Sequence, residues 1–371
     1  MVTDNHTIRL SEAKNYINHI SVRKKRPVML WGPPGVGKSE IVESIVLDAQ
    51  KAGKKAKLFD MRLSMCEPTD IMGIPYFDSV NHTMAWAPPE LLPSKADGEE
   101  NDLVILFLDE LNGAAPAVQA AAYQLILNRK VGAYSLPDNV AVVAAGNRET
   151  DKGVTYRMPK PLANRFVHFE IRVHFDDWAD WAVENGIIAD VVGFLTVKKD
   201  LLMKFDPKDP GHSFPTPRSW TYVSDILADD DHGLPDSAIA DMIIGTIGQG
   251  AGIAFDAHRK MTSKLPDPTL ILKGKVTDLQ TKEISALYSL ATSLAYELKT
   301  QKENVGREID DDTLQTYIDN TIGFWMDHFE PEMIVMSFRM AIVKFGIKVD
   351  MKKIKNWKRF YDRYGELVRK V

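Results

Sequence analysis

Gly32-Pro33-Pro34-Gly35-Val36-Gly37-Lys38-Ser39 is the stretch on which the reading of this chain turns. It fits the pattern G-x-x-x-x-G-K-[ST] in full. A short apolar run, Pro27–Trp31, stands before it. After it, Ser39–Gln50 places Ile41, Val42, Ile45 and Val46 at helical spacing. Strand, glycine loop and helix in that order let backbone N–H groups converge, and the positive end of the helix adds to their field. A glycine-rich turn is the plain alternative, and the flanking strand and helix argue against it. The expectation is that Gly32, Pro33, Pro34, Gly35, Val36, Gly37, Lys38, Ser39 and the adjoining Glu40 bind the phosphates of ATP. Lys38 reaches the β- and γ-phosphates, and the Ser39 hydroxyl is a ligand for Mg²⁺.

Further apolar runs follow at Ala56–Met61, Leu103–Leu108, Val140–Ala145 and Phe166–Ile171, with helical patterns between them. Five strands alternating with helices predict an α/β fold on a five-stranded parallel sheet. Leu103–Leu108 is unbroken apolar sequence, as in a strand covered on both faces, and runs into Asp109-Glu110. Successive strand residues face opposite ways. Asp109 therefore suits the Mg²⁺ shell while Glu110 faces the attacking water, the metal clamp and the nucleophile-orienting group of phosphoryl transfer. The alternative is a strand end followed by a cap at Asn112. Asn147 ends the run Val140–Gly146. Alone it reads as a turn residue. Beside the other two motifs it delivers an amide to the γ-phosphate and the water.

The stretch Met61–Ser94 reads as a helix interrupted by a β-hairpin, with Tyr76–Phe77 and Met84–Trp86 around Asp78-Ser79-Val80-Asn81. Insertions of this length are usually functional. Beyond about Val173 the pattern becomes helical, at Asp176–Asn185, Pro217–Ala228, Ser237–Phe255, Glu283–Lys299 and Thr313–Phe329, with Ser263–Val276 as a loop. Trp178 and Trp181 read as core, and Cys66 as a buried small residue. Met351–Val371 is basic, with Trp357, Phe360 and Tyr361 interleaved, and fits a helix that packs its rings and solvates its charges.

The 371 residues are 44% hydrophobic and 26% charged, enough apolar sequence for sizeable cores. A net charge of −5 and a pI near 6.0 do not favour nucleic acid as the main partner. With a single cysteine no internal disulfide forms. No basic-then-apolar leader pattern opens the sequence, and no apolar run approaches the ~20 residues of a membrane helix. These features place the expected location in the cytoplasm, away from any membrane.

The order and spacing of the motifs, over roughly Ile17 to Trp220, resemble the AAA+ ATPases and in particular their MoxR-like branch. The resemblance is carried by Gly32–Ser39, Asp109-Glu110-Leu111-Asn112, Ala144-Ala145-Gly146-Asn147, Val154-Thr155-Tyr156-Arg157-Met158-Pro159, Leu162-Ala163-Asn164-Arg165-Phe166 and Pro215-Thr216-Pro217-Arg218-Ser219. It implies a nucleotide-binding core over residues 1–172 with a helix-2 insert hairpin at about 70–90 and a helical lid over 173–300; the helical C-terminal extension expected over 301–371 departs from the family pattern and carries none of its motifs. It implies that Asn147 senses the γ-phosphate and that Arg165 is an arginine finger for the neighbouring subunit, with Arg157 in reserve. Arg218 corresponds to a second sensor, acting in its own or the next subunit. It further implies a homo-oligomeric ring, a hexamer in this family, that remodels or matures a protein, with a von Willebrand factor A domain protein as partner. No Lys or Arg occurs from Asp70 to Glu90, which suits contact with protein. Two rivals stand beside this reading: a nucleic-acid-stimulated motor, supported by the basic tail and Arg129-Lys130, and a slow chelatase-type or scaffold ATPase subunit.

Overall fold

A computed structural model describes residues 7–132, 134–151, 156–228 and 233–369. The chain forms two compact units. The first runs through Asp177 and takes in Phe205–Pro210; the second comprises Trp178–Lys204 and the chain from Gly211 onward.

The strands of the first unit, in chain order, are β1 Thr7–Arg9, β2 Val28–Trp31, β3 Ala56–Arg62, β4 Ile74–Asp78, β5 Thr83–Ala87, β6 Leu103–Asp109, β7 Lys130–Val131, β8 Tyr134–Ser135, β9 Val140–Gly146 and β10 Val167–Arg172. Six of them form one sheet in the order β1-β10-β2-β9-β6-β3, and every pairing in it is parallel. The phosphate-loop α/β architecture holds with one strand more than the five expected. The addition is β1, an edge strand of three residues whose only buried side chain is Ile8. Three residues are too few for an alternation to register.

β6 and β9 are buried along their whole length, so both read as continuous apolar runs. The strand order sets β2, β9 and β6 side by side, with Trp31 opposite Gly146 and Leu108 opposite Ala144. The three chain exits that follow, at Gly32, Asn147 and Glu110, consequently open along one sheet edge. In such sheets the crevice outside the carboxyl ends of the strands is where ligands bind. The helix Lys38–Lys51 buries Val42, Ile45 and Val46, and Pro116–Asn128 starts with proline in its first turn, where the missing N–H has no helical partner anyway.

The second unit is helical. Leu298, Leu314, Ile322, Trp325, Phe338 and Phe360 belong to one core, so residues on both sides of position 300 pack together. The stretch Ser237–Phe255 is not one helix. It divides into Asp236–Ile247 and Gln249–Thr262 at Gly248, whose φ of +81° is left-handed and whose Cβ, if present, would meet the Ser213 carbonyl oxygen at 2.6 Å. Ser263–Val276 holds a short helix, Pro268–Leu272, capped by the Asp267 carboxylate. Trp178 is buried as expected, but Trp181 is 37% exposed, because three residues of helix turn the chain by less than a full circle. Cys66, in the first unit, is only half-buried. Among the described residues no helix is long and apolar enough to cross a membrane.

Candidate active site

The phosphate loop departs from the carboxyl end of β2, after the half-buried Trp31. Gly35 and Gly37 take φ of +78° and +93°, angles that a side chain resists. Their freedom curls the loop so that Lys38, 9% exposed, lies inside it. Its Nζ donates to the Gly32 carbonyl at 2.7 Å, to the Pro33 carbonyl at 3.0 Å and to Asn147 Oδ1 at 3.2 Å. The next residue, Ser39, donates through Oγ to Asp109 Oδ2 at 3.2 Å. Val36 is buried, while Pro34 and Glu40 are exposed on the loop and the first helical turn. The first two motifs and the sensor strand thus come together around one lysine ammonium.

Asp109 is 8% exposed, and its Oδ1 accepts the Glu110 backbone N–H at 2.8 Å. Glu110 turns the chain out of the strand with φ 54° and ψ 35°. That bend brings its carboxylate to the end of β3, where it accepts a hydrogen bond from Ser64 Oγ and lies 3.9 Å from Arg62 Nε. Neither Ser64 nor Arg62 stood out in the sequence; they reach Glu110 because β3 pairs with β6 with Arg62 opposite Asp109. Two residues back on β3, burial pushes the Asp60 carboxyl up from its ordinary range, the Asp109 charge adds to the push and Arg62 opposes it. The loop's curl, the enclosed ammonium and the adjoining Ser39 hydroxyl and Asp109 carboxylate fit a nucleotide triphosphate with a divalent cation. The hard oxygen donors of Ser39 and Asp109 are the kind that Mg²⁺ takes.

The corner after β9 has two further attachments that sequence reasoning missed. Asn112, 2% exposed, donates through Nδ2 to the Asn147 carbonyl at 2.7 Å. Its own carbonyl accepts the Tyr156 N–H at 2.6 Å. It is therefore not a helix cap. Arg148 binds Asp151 through Nε and Nη2 and reaches Glu170 on β10 through Nη1 at 2.9 Å. The sequence signal was the adjacency of Arg148 to Asn147 with an acid three residues on.

Arg165 and Arg157 are both exposed, and among the described residues neither side chain has a hydrogen bond or ion pair with another. Arg165 follows the short helix Lys160–Ala163, and its N–H closes onto the Leu162 carbonyl at 3.0 Å. Val154 and Thr155 of the same motif lie outside the described residues. In the second unit Arg218 is exposed in the first turn of the helix Pro217–Ala228. Thr216 and Ser219 cap that turn reciprocally at 3.0 Å and 2.8 Å, and Trp220, fully buried, donates to the Leu201 carbonyl at 2.8 Å. The arginine is thus held on a rigid start of helix.

The insert forms the antiparallel pair β4–β5, closed through Asp78, which accepts from the Val80 and Asn81 amides. Ile74, Phe77 and Met84 are each more than 60% exposed, and Tyr76 is 49% exposed. Trp86 is the exception, lying against Gly132 of the second hairpin. Arg129, beside that hairpin, turns inward and donates to the Pro137 and Val140 carbonyls at 2.6 Å and 2.8 Å.

These features define a phosphate-loop ATPase. Residues 28–176 match the model of the AAA family, the "ATPase family associated with various cellular activities". It is 27% identical to the protein MoxR of Methylorubrum extorquens over 152 residues, 40% of this chain and 41% of that protein. It is 25% identical to midasin of Giardia intestinalis over 173 residues, 44% of this chain and 3% of midasin. The chain thus spans under half the length of these curated relatives. The crystal structure of NtrX from Brucella abortus in complex with ATP aligns over 93% of this chain and 70% of its own, at 13% identity and a TM-score of 0.37. At that score the fold assignment rests on the strand order and the matched domain.

Proposed function

We propose that this ATPase works as a Mg-ATP-driven ring, a hexamer in the cytoplasm, that remodels or matures a protein partner. The loop amides and Lys38 bind the β- and γ-phosphates, and Ser39 and Asp109 hold Mg²⁺, which neutralises charge on those phosphates. Glu110 orients the attacking water, and Asn147 presents its amide to the γ-phosphate. Arg165 has no partner among the described residues of its own subunit, which suits a finger that serves the next one. Fingers of this kind are worth about 10³–10⁵ in rate in other phosphate-loop enzymes.

The observation that carries the protein-directed reading is the insert hairpin. It holds Ile74, Tyr76, Phe77 and Met84 in solvent and has no Lys or Arg from Asp70 to Glu90. A nucleic-acid channel needs phosphate-neutralising charge, whereas exposed apolar side chains gathered on one hairpin suit a protein surface. The cations offered for nucleic acid are partly engaged: Arg129 on backbone carbonyls, Arg359 on Asp327 and Lys353 on Asp312. Similarity to MoxR supports a von Willebrand factor A domain protein as the partner.

The test is capture with Glu110→Gln, which keeps ATP bound, from lysate of the native host, together with turnover measured with and without single- and double-stranded DNA. Nucleotide-dependent recovery of a von Willebrand factor A domain protein supports the proposal. Strong, salt-sensitive stimulation by DNA overturns it in favour of a nucleic-acid motor. Turnover equally absent from the parent and Glu110→Gln, with every partner tried, favours the scaffold reading.

A further inference from the structure

The corner at residues 146–148 carries the amide that meets Lys38, yet the backbone of Asn147 and Arg148 lies beyond the last sheet pairing of β9. β9 pairs with β2 as far as Gly146 and with β6 only as far as Ala144. Something other than the ladder must fix the direction of the Asn147 side chain. Two side chains grip this corner, one from each flank of the sheet.

From the β6 flank comes Asn112. Its amide donates to the Asn147 carbonyl and lies close against Gly146; a Cβ at 146 would stand 2.3 Å from Asn112 Oδ1. Only glycine allows that approach. From the other flank comes the Arg148 guanidinium, whose fork takes Asp151 and Glu170 together. Glu170 sits on β10 opposite Trp31 of β2, one residue before the phosphate loop begins. Arg148 therefore spans the end of β2 and ties the sensor corner to the strand beyond the loop's root. Asp151 has a side chain 2% exposed, and a carboxylate so placed needs its cation.

We propose that Asn112 and Arg148 are positioning residues for ATP hydrolysis, holding the corner at 146–148 from both flanks so that the Asn147 amide stays on Lys38 and faces the reacting phosphate. The proposal rests on the reading of Asn147 as the group that meets the γ-phosphate. Asn112→Asp is the sharpest probe. It preserves shape, replaces the donor by a carboxylate oxygen set against the Asn147 carbonyl and adds one negative charge. Arg148→Lys keeps the charge but cannot hold two carboxylates in a planar fork. Neither residue contacts nucleotide under this proposal, so each acts only through Asn147.

The experiment measures kcat and KM for ATP, affinity for a non-hydrolysable ATP analogue and thermal unfolding of the full chain. It uses Asn112→Asp, Arg148→Lys, Asn147→Ala and each pairing with Asn147→Ala. The expected result is a fall in kcat of about 10- to 100-fold for each positioning variant, the usual effect of losing an outer partner of a working group. KM and analogue affinity stay within about threefold of the parent on the same ground, and the paired variants are no slower than Asn147→Ala alone. Losses that multiply in the paired variants overturn the proposal, as does full kcat in both positioning variants while Asn147→Ala is slow. Full kcat in Asn147→Ala removes the reading of Asn147 first, and this proposal with it. If Asn112→Asp unfolds early, the partly exposed Arg148→Lys decides.

Discussion

Glu110 stands in a left-handed backbone conformation, φ 54° and ψ 35°, that residues with a Cβ resist at about 1–2 kcal/mol. Asparagine tolerates this region better. Glu110→Asn should therefore be at least as stable as the parent, by up to about 1 kcal/mol, in a urea titration. It should also lose ATP turnover by about 10²–10⁴-fold, the usual worth of a placed acid–base group. A variant that loses stability and retains turnover would reverse both assignments. Lys38, Ser39 and Asp109 were legible because their pattern is local: a loop signature and an alternating strand end. Ser64 and Arg62 were not. Their meeting with Glu110 depends on the register of β3 on β6, and nothing near them in the chain records it. The same holds for Arg148 and Glu170, which lie 22 residues apart in sequence and meet only because β10 runs beside β2.

At the scale of elements, the insert hairpin and the Gly248 break make opposite predictions. Tyr76 and Phe77 are 49% and 61% exposed, so Tyr76→Ser with Phe77→Ser should leave the melting temperature and basal ATPase rate near those of the parent, as surface changes usually do. Stimulation by the protein partner should disappear, which a coupled ATPase assay reads directly. Gly248→Ala should destabilise the second unit by roughly 1–3 kcal/mol, since the added Cβ meets the Ser213 carbonyl in an unfavourable φ region; circular dichroism during thermal unfolding measures it. The apolar spacing runs on through Gly248, which is why Asp236–Ile247 and Gln249–Thr262 read as one helix: periodicity records which face is buried and is blind to a change of direction. β1 escaped for another reason, having only Ile8 to mark it.

At the scale of the whole molecule, two cores titrate and melt for different reasons. In the second unit His258 is buried, with Nδ1 on Ser285 Oγ at 3.0 Å and Nε2 on Ser289 Oγ at 3.1 Å. The rings of Phe194 and Phe255 lie tilted against it, with centroids 5.3 Å and 6.0 Å away. A backbone hydrogen bond with Asp190 favours the charged imidazole, and the Asp190 carboxylate accepts from Thr262 Oγ1. Burial pushes the imidazole down from 6.5 to about 4. Between those values the unfolded chain binds a proton that the folded chain refuses. The contribution is fully present above pH 6.5 and is lost as pH falls through the window to about 4. Burial raises Asp190, which opposes the loss at the acid end. His258→Gln should flatten the decline in denaturant midpoint between pH 6.5 and 4. Because each unit has a separate core, calorimetry should resolve two heat-absorption peaks. Mg-ATP analogue at about 100 times its dissociation constant adds about 2.7 kcal/mol to whatever holds it, and the phosphate loop lies wholly in the first unit. The first unit's peak should climb, so the chain reports occupancy of its nucleotide site as a temperature, without any turnover at all.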